Sequence, residues 1–122
     1  MNMANNWPTV SPMSSSYLRV ADLLLRIELE MRQQDLWHAD QPSDEALNSV
    51  QPFCYDTLYF TEWLQFIFLP RMKVIIENGL ALPPSCDIAP MAEEAFKQLS
   101  QNTDELLVLL IECDRAIVGH SK

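Results

Sequence analysis

Glycine, histidine and cysteine are scarce in this 122-residue sequence. Two glycines cannot build a glycine-rich phosphate loop. The three cysteines contain no Cys-x-x-Cys pair, so neither a zinc site nor a redox dithiol is indicated. Of the two histidines, His38 stands beside Trp37 near the end of a predicted helix, where a cation suits the helix dipole. The sequence therefore predicts no metal and no cofactor.

Basic residues are also few, with 8 Lys and Arg against 17 Asp and Glu, for a net charge of −9. Such an acidic chain repels a phosphate backbone, so we expect no direct nucleic-acid binding. The acidity favours solubility, and it also suits a basic protein partner. No apolar run approaches the roughly 20 residues of a membrane span, and no secretory signal is visible, so we expect a cytoplasmic protein away from membranes.

No catalytic set of nucleophile, histidine and acid can be assembled from this sequence. Two pairs of neighbouring carboxylates occur, Glu93 with Glu94 and Asp104 with Glu105. Each pair falls near the first turn of a predicted helix, where acidic side chains complement the helix dipole. We therefore expect that the protein is not an enzyme.

Four helical segments are predicted, and no alternating strand pattern competes with them. The first starts at the serine run 14–16 and fades near Trp37, and a long connection follows from His38 to about Asp56. The second starts between residues 56 and 61 and stops at Gly79. The third starts at Pro90, and the fourth follows residue 102 and ends at Gly119. The sequence predicts an all-α, four-helix bundle over residues 15–119, preceded by a mobile tail over residues 1–14.

The second predicted helix is the densest apolar segment and the centre of the expected bundle. At about 100° per residue, one face carries Phe60, Trp63, Leu64, Ile67 and Ile75. Arg71 falls on the same face, whereas Gln65 falls on the polar side, where the apolar Phe66 and Leu69 would also meet solvent. Pro70 removes a hydrogen bond and crowds the carbonyl of residue 66, so we expect a kink or a break there.

The misplaced side chains of this helix suggest a function as an interaction protein. The candidate interaction surface or pocket consists of Trp63, Phe66, Ile67, Leu69, Pro70 and Arg71. A homodimer through Phe66 and Leu69 is a variant of this hypothesis. The alternative is a small-ligand pocket between helices, lined by Trp63, Ile67 and Arg71.

Arg71 also has a structural interpretation. A charge on an apolar stripe needs water or a polar partner, and Asp56 is one candidate. In that case Phe53, Asp56 and Arg71 form a brace between the long connection and the second helix.

Several motifs resemble one known family. They are Leu36–Trp37, Gln51–Pro52–Phe53, Asp56–Thr57, Glu62–Trp63–Leu64–Gln65, Leu69–Pro70–Arg71–Met72, Leu82–Pro83 and Ile88–Ala89–Pro90–Met91. Over about residues 16 to 118 the chain closely resembles the YqcC-like family of small bacterial proteins. The resemblance implies an all-α bundle and brings no established catalytic residues. Members are sometimes encoded beside, or named after, tRNA pseudouridine synthase C, so the resemblance implies a protein partner and an accessory role to that RNA-modifying enzyme.

Overall fold

A computed structural model describes residues 15–51, 57–83 and 86–120, and those residues form helices and no strands. The helices are α1 (Ser15–Gln33), α2 (Asp44–Leu47), α3 (Phe60–Trp63), a π-helical segment (Leu64–Phe68), α4 (Leu69–Glu77), α5 (Ile88–Phe96) and α6 (Asp104–His120). The predicted all-α class is confirmed. The predicted tail, residues 1–14, and the brace residues Phe53 and Asp56 lie outside the described residues.

The core is built around the pairing of the two longest helices, α1 and α6. α4 packs on α1, and α5 packs on α6. The buried side chains of the central pair are Val20, Leu23, Leu24, Ile27 and Met31 from α1 and Leu106, Leu109, Leu110, Cys113 and Ile117 from α6. Spacings of three and four put these side chains on one stripe of each helix.

The apolar face of α1 is narrower than the sequence pattern suggests. From the sequence we expected Leu18, Leu25 and Leu29 to widen the apolar face of α1, but they are 59%, 65% and 56% exposed. They lie on the side of α1 away from its buried stripe. Counting about 100° per residue puts them roughly opposite Val20 and Ile27, so helical geometry itself turns them away from the face that the neighbours of α1 cover.

The central helix runs through Pro70 without a break. The backbone stays right-handed helical at Phe68 (φ −65°, ψ −55°) and Leu69 (φ −61°, ψ −46°). The Leu69 N–H donates to the carbonyl of Leu64, five residues back, so the turn before the proline holds one extra residue. We attribute this wider turn to Pro70, which has no N–H to donate and whose ring would crowd an α-helical carbonyl four residues earlier.

The extra residue changes which side chains of the central helix face the core. Leu64, Phe68, Met72 and Ile76 are all buried although they follow one another at steps of four. In an unbroken α-helix each step of four residues would rotate the side chain by about 40° around the helix axis. The extra residue rotates the following side chains back by about 100°, so the stripe stays on one face. As a result Leu69 is buried at 2% exposure, and Arg71, expected on the apolar face, is exposed.

Two helices end in Schellman motifs, in which a left-handed residue closes the last turn. In α4 the left-handed residue is Gly79 (φ 64°), as predicted. In α1 it is Asp35 (φ 61°), and the Leu36 N–H donates to the Met31 carbonyl at 2.8 Å. α1 therefore stops four residues before Trp37, the predicted end.

The N-terminus of α5 is capped by a side chain from α6. Asp87, the residue before α5, makes no side-chain cap. Instead the two carboxylate oxygens of Asp114 accept the N–H groups of Ile88 (3.0 Å) and Ala89 (2.8 Å). The start of α5 is thereby fixed against α6, which positions the α5 face described below. Among the described residues, none of the helices combines the length and the apolar composition that a membrane span requires.

Candidate functional site

A half-open cleft of about 570 Å³ lies beside the central helix. Its walls come from three separate stretches of the chain: residues 35–38 after α1, residues 58–61 at the start of α3, and the α5 face with the turn that follows it. The α5 side supplies Met91, Ala95, Phe96, Gln98, Leu99 and Gln101. The volume falls within the range of about 300–1,000 Å³ typical of ligand pockets.

Aromatic side chains shape the cleft and anchor it to the core. Phe60 meets Phe96 edge-on at 5.9 Å between ring centroids, which joins α3 to α5. Trp63, one turn behind, stacks on Phe60 at 5.8 Å and on Phe68 at 5.5 Å. Such aromatic pairs contribute about 0.5–1.5 kcal/mol each beyond their burial. Trp63 therefore supports the cleft from behind rather than lining it.

A buried amide fixes the wall formed by residues 35–38. Gln65 is 6% exposed, and its side chain accepts the N–H of His38 at 2.7 Å and donates to the His38 carbonyl at 2.9 Å. The sequence pattern placed Gln65 on the polar face, but it lies on the buried face with Thr61 and Leu64. The amide satisfies both backbone groups of a residue that lies outside regular structure.

The ring of His38 is held from two sides. Its Nε2 lies 2.9 Å from Oγ1 of the buried Thr61, and its ring is tilted against Phe66 with the centroids 6.4 Å apart. Trp37, its neighbour, carries the Arg32 guanidinium over its ring at 4.4 Å. His38 was expected to act through the dipole of α1, but its ring contacts α3 and the π-helical segment instead. Its contacts are those of a residue that shapes the cleft.

The structure disperses the six predicted surface residues. Trp63 belongs to the aromatic cluster, and Leu69 belongs to the buried core. Phe66 and Ile67 are half-buried, and Pro70 and Arg71 are exposed. Trp63, Ile67 and Arg71, predicted to line a pocket, are not among the residues lining the cleft. Among the described residues the Arg71 guanidinium makes no ion pair. The interaction surface predicted at these six residues stays a prediction, as does the homodimer through Phe66 and Leu69, although Leu69 itself is only 2% exposed.

Cys86 and Cys113 are both free thiols whose pKa values are raised. Burial is the main cause for each, and it raises the pKa of Cys113 to about 12 with a further contribution from the charge of Asp114. The pKa of Cys86 is raised by burial and then by its hydrogen bond with Asp114. A nucleophilic cysteine needs a depressed pKa, so neither thiol is activated. Within the described residues, no three His, Cys, Asp or Glu side chains form a group able to hold a metal ion.

Comparisons with known proteins give one family. The family model DUF446, described as tRNA pseudouridine synthase C, matches residues 19–116. An uncharacterized protein of Haemophilus influenzae is 40% identical over 88 residues, which are 72% of this chain and 82% of that protein. The solution NMR structure of protein YqcC from Escherichia coli matches with a TM-score of 0.74 and 30% identity, covering 86% of this chain and 90% of that one.

A relative of a different size carries an enzyme's name. A Pectobacterium carotovorum protein called tRNA pseudouridine synthase C is 43% identical over 67 residues. The match covers 55% of this chain but only 18% of that protein. Most of the named synthase therefore lies outside the region that resembles this chain.

Proposed function

Because the chain belongs to the DUF446 family of small YqcC-like proteins, we propose that it is a non-catalytic interaction protein, accessory to a tRNA-modifying enzyme. The candidate enzyme is tRNA pseudouridine synthase C. One observation carries the proposal: a relative with that name devotes 18% of its length to the matching segment. A segment that shares one chain with the rest of a protein of that name is a candidate to bind the synthase where the two are separate chains.

The chemistry of the described residues supports a non-catalytic role. The His38 ring is engaged with Thr61 and Phe66, and burial keeps Cys86 and Cys113 protonated near neutral pH because it raises their pKa values. A nucleophilic cysteine needs a lowered pKa, and a general base needs a pKa near the working pH. The groups most suited to catalysis thus have structural roles.

Charge also supports a protein partner of this class. An enzyme that holds tRNA must present Lys and Arg to phosphates, and this chain has a net charge of −9. Opposite charges accelerate encounter and make the affinity fall as salt rises. The proposal therefore predicts a complex that forms most readily at low ionic strength.

Sedimentation velocity with purified proteins tests the proposal. An equimolar mixture of this chain and the synthase of the same organism should sediment as one complex at low salt, and the complex should weaken as salt is raised. This chain alone should form no pseudouridine in tRNA. Two species that sediment independently under all conditions, or pseudouridine formed by this chain alone, would contradict the proposal.

Small-ligand binding is a second candidate function, favoured by the volume of the cleft, about 570 Å³. Its residues differ from the pocket predicted around Trp63, Ile67 and Arg71. Native mass spectrometry of the freshly purified protein tests it, since a ligand held in the cleft would appear as a constant added mass. A bare chain mass in every preparation would argue against this function.

A further inference from the structure

We propose that the cleft between residues 35–38, residues 58–61 and α5 binds a segment of a protein partner in which an apolar anchor is flanked by Lys or Arg. The inference rests on the proposed function, because it takes the synthase as the source of that segment. It deepens that function by assigning the site and the chemistry of the bound segment. Two observations support the inference: the walls of the cleft are apolar, and the chain segments that form two of them are acidic.

The interior of the cleft suits an apolar side chain. Leu58, Phe60, Met91, Phe96 and Leu99 line it, and Met91 can adjust its shape because its side chain is unbranched and flexible. Tyr59, at the cleft, is 78% exposed. An exposed tyrosine beside an apolar cavity is typical of the aromatic anchors that dominate protein interfaces.

Two of the three walls of the cleft are acidic in sequence, and the cations beside it are already paired. Arg32, over the Trp37 ring, pairs with Glu28, and Lys97, which follows Phe96 of the α5 wall, pairs with Glu94. Residues 33–70, which supply two of its three walls, contain six Asp and Glu and no Lys or Arg. In the remainder of the chain both signs are interspersed, and three of the eight basic residues lie in α1. Residues 33–70 therefore carry −6 of the chain's net charge of −9.

The carboxylates of this stretch are available to a partner. In the described residues, Asp35, Asp40, Asp44 and Glu45 are exposed and form no ion pair. By contrast, Asp22, Glu28, Glu94 and Glu112 elsewhere on the chain are paired with Lys or Arg. An apolar anchor flanked by cations would fill the cavity and approach free carboxylates at the same time, as basic amphipathic segments do when they bind acidic grooves.

Two kinds of variant separate the cavity from the charge. Ala95→Trp fills the cleft from α5, where Ala95 is half-buried. Asp35→Lys with Asp40→Lys reverses two exposed carboxylates, one that lines the cleft and one that follows the lining residue His38 by two positions. The matched control is Glu77→Lys with Glu93→Lys, which makes the same change of net charge at exposed sites that do not line the cleft. Circular dichroism and urea unfolding establish that each variant is folded before binding is measured.

The experiment is a titration of the purified full-length synthase into each variant by isothermal calorimetry. Ala95→Trp and the Asp35 and Asp40 double variant should each raise Kd by about tenfold or more, while the control double variant changes it by less than about threefold. If the wild type binds and both cleft variants bind equally well, the inference is wrong and the proposed function stands. If the wild type does not bind, both are wrong. A copurifying small molecule seen by native mass spectrometry in the wild type and lost in Ala95→Trp would assign the cleft to a metabolite and overturn the inference.

Discussion

Replacing Gln65 by leucine should destabilise the protein more than any other change of a single glutamine. The Gln65 amide makes two hydrogen bonds to the backbone of His38, at 2.7 Å and 2.9 Å, across 27 residues of sequence. Leucine has a similar volume, so the loss comes from hydrogen bonding and not from a cavity. Each bond contributes about 0.5–1.5 kcal/mol, and each partly buried backbone group left without a partner costs about 1–3 kcal/mol. We expect Gln65→Leu to lower the free energy of unfolding by about 2–4 kcal/mol in total.

Urea unfolding followed by circular dichroism measures this loss. Gln33→Leu, at the exposed last residue of α1, is the matched control and should change stability by no more than about 0.5 kcal/mol. Gln65→Glu adds a second test, because only a protonated carboxyl can both accept from and donate to the His38 backbone. Burial should raise the pKa of that carboxyl, so this variant should approach wild-type stability in acid and fall below it as the pH rises. Equal losses for Gln65→Leu and Gln33→Leu would refute the role assigned to Gln65.

Three further changes test other parts of the fold. Asp114→Ala should cost about 1–3 kcal/mol in urea unfolding, because it leaves the N–H groups of Ile88 and Ala89 at the start of α5 uncapped, and Asp114→Asn should cost about half as much; no loss in either would contradict the cap. Asp35→Gly should raise the free energy of unfolding by about 0.5–1 kcal/mol, because glycine tolerates the φ of 61° and the change removes a carboxylate from the C-terminal end of α1. A lower free energy of unfolding would contradict the cost that we ascribe to this left-handed conformation. The raised pKa of Cys113, about 12, means that its contribution to stability is full below about pH 9 and is lost as the pH rises towards 12. The stability difference between wild type and Cys113→Ala should therefore shrink over that interval, and a difference that grows with pH would have the wrong sign.

The sequence predicted the helices well because their signals are local. The stripe of Val20, Ile27 and Met31 predicts α1, and Gly79 marks the end of α4 with the left-handed conformation expected of it. Helix-breaking residues likewise predicted the long connection before α3. The end of α1 was harder, because Asp35 adopts a conformation that more often selects glycine or asparagine.

A uniform helical period could not predict which side chains of the central helix face the core. Counting about 100° per residue puts Arg71 on the apolar side, and the extra residue before Pro70 turns it to solvent. Gln65 precedes that shift, and it is buried because the face that meets the core carries Thr61 and Leu64 rather than Phe60 and Ile67. The sequence does hold a signal for this, since Leu64, Phe68, Met72 and Ile76 repeat at steps of four directly around a proline. A pure α-helix would not keep such a stripe on one face.

The cleft was missed because no local pattern describes it. Its walls come from stretches that lie 20 or more residues apart along the chain, and its shape depends on the pairing of Gln65 with His38. Phe60 and Phe96 belong to different helices, and only tertiary packing brings their rings to 5.9 Å. The run from residue 33 to residue 70 without Lys or Arg was the available clue.

Amide hydrogen exchange, measured on this chain alone and in a mixture with the purified synthase, tests the central claim most directly. Binding in the cleft predicts added protection at residues 35–38, residues 58–61 and the C-terminal half of α5. The exposed face of α1, with Leu18, Leu25 and Leu29, should exchange at the same rate with and without the partner. Protection confined to α1, or no change anywhere at partner concentrations that saturate a micromolar complex, would contradict the account.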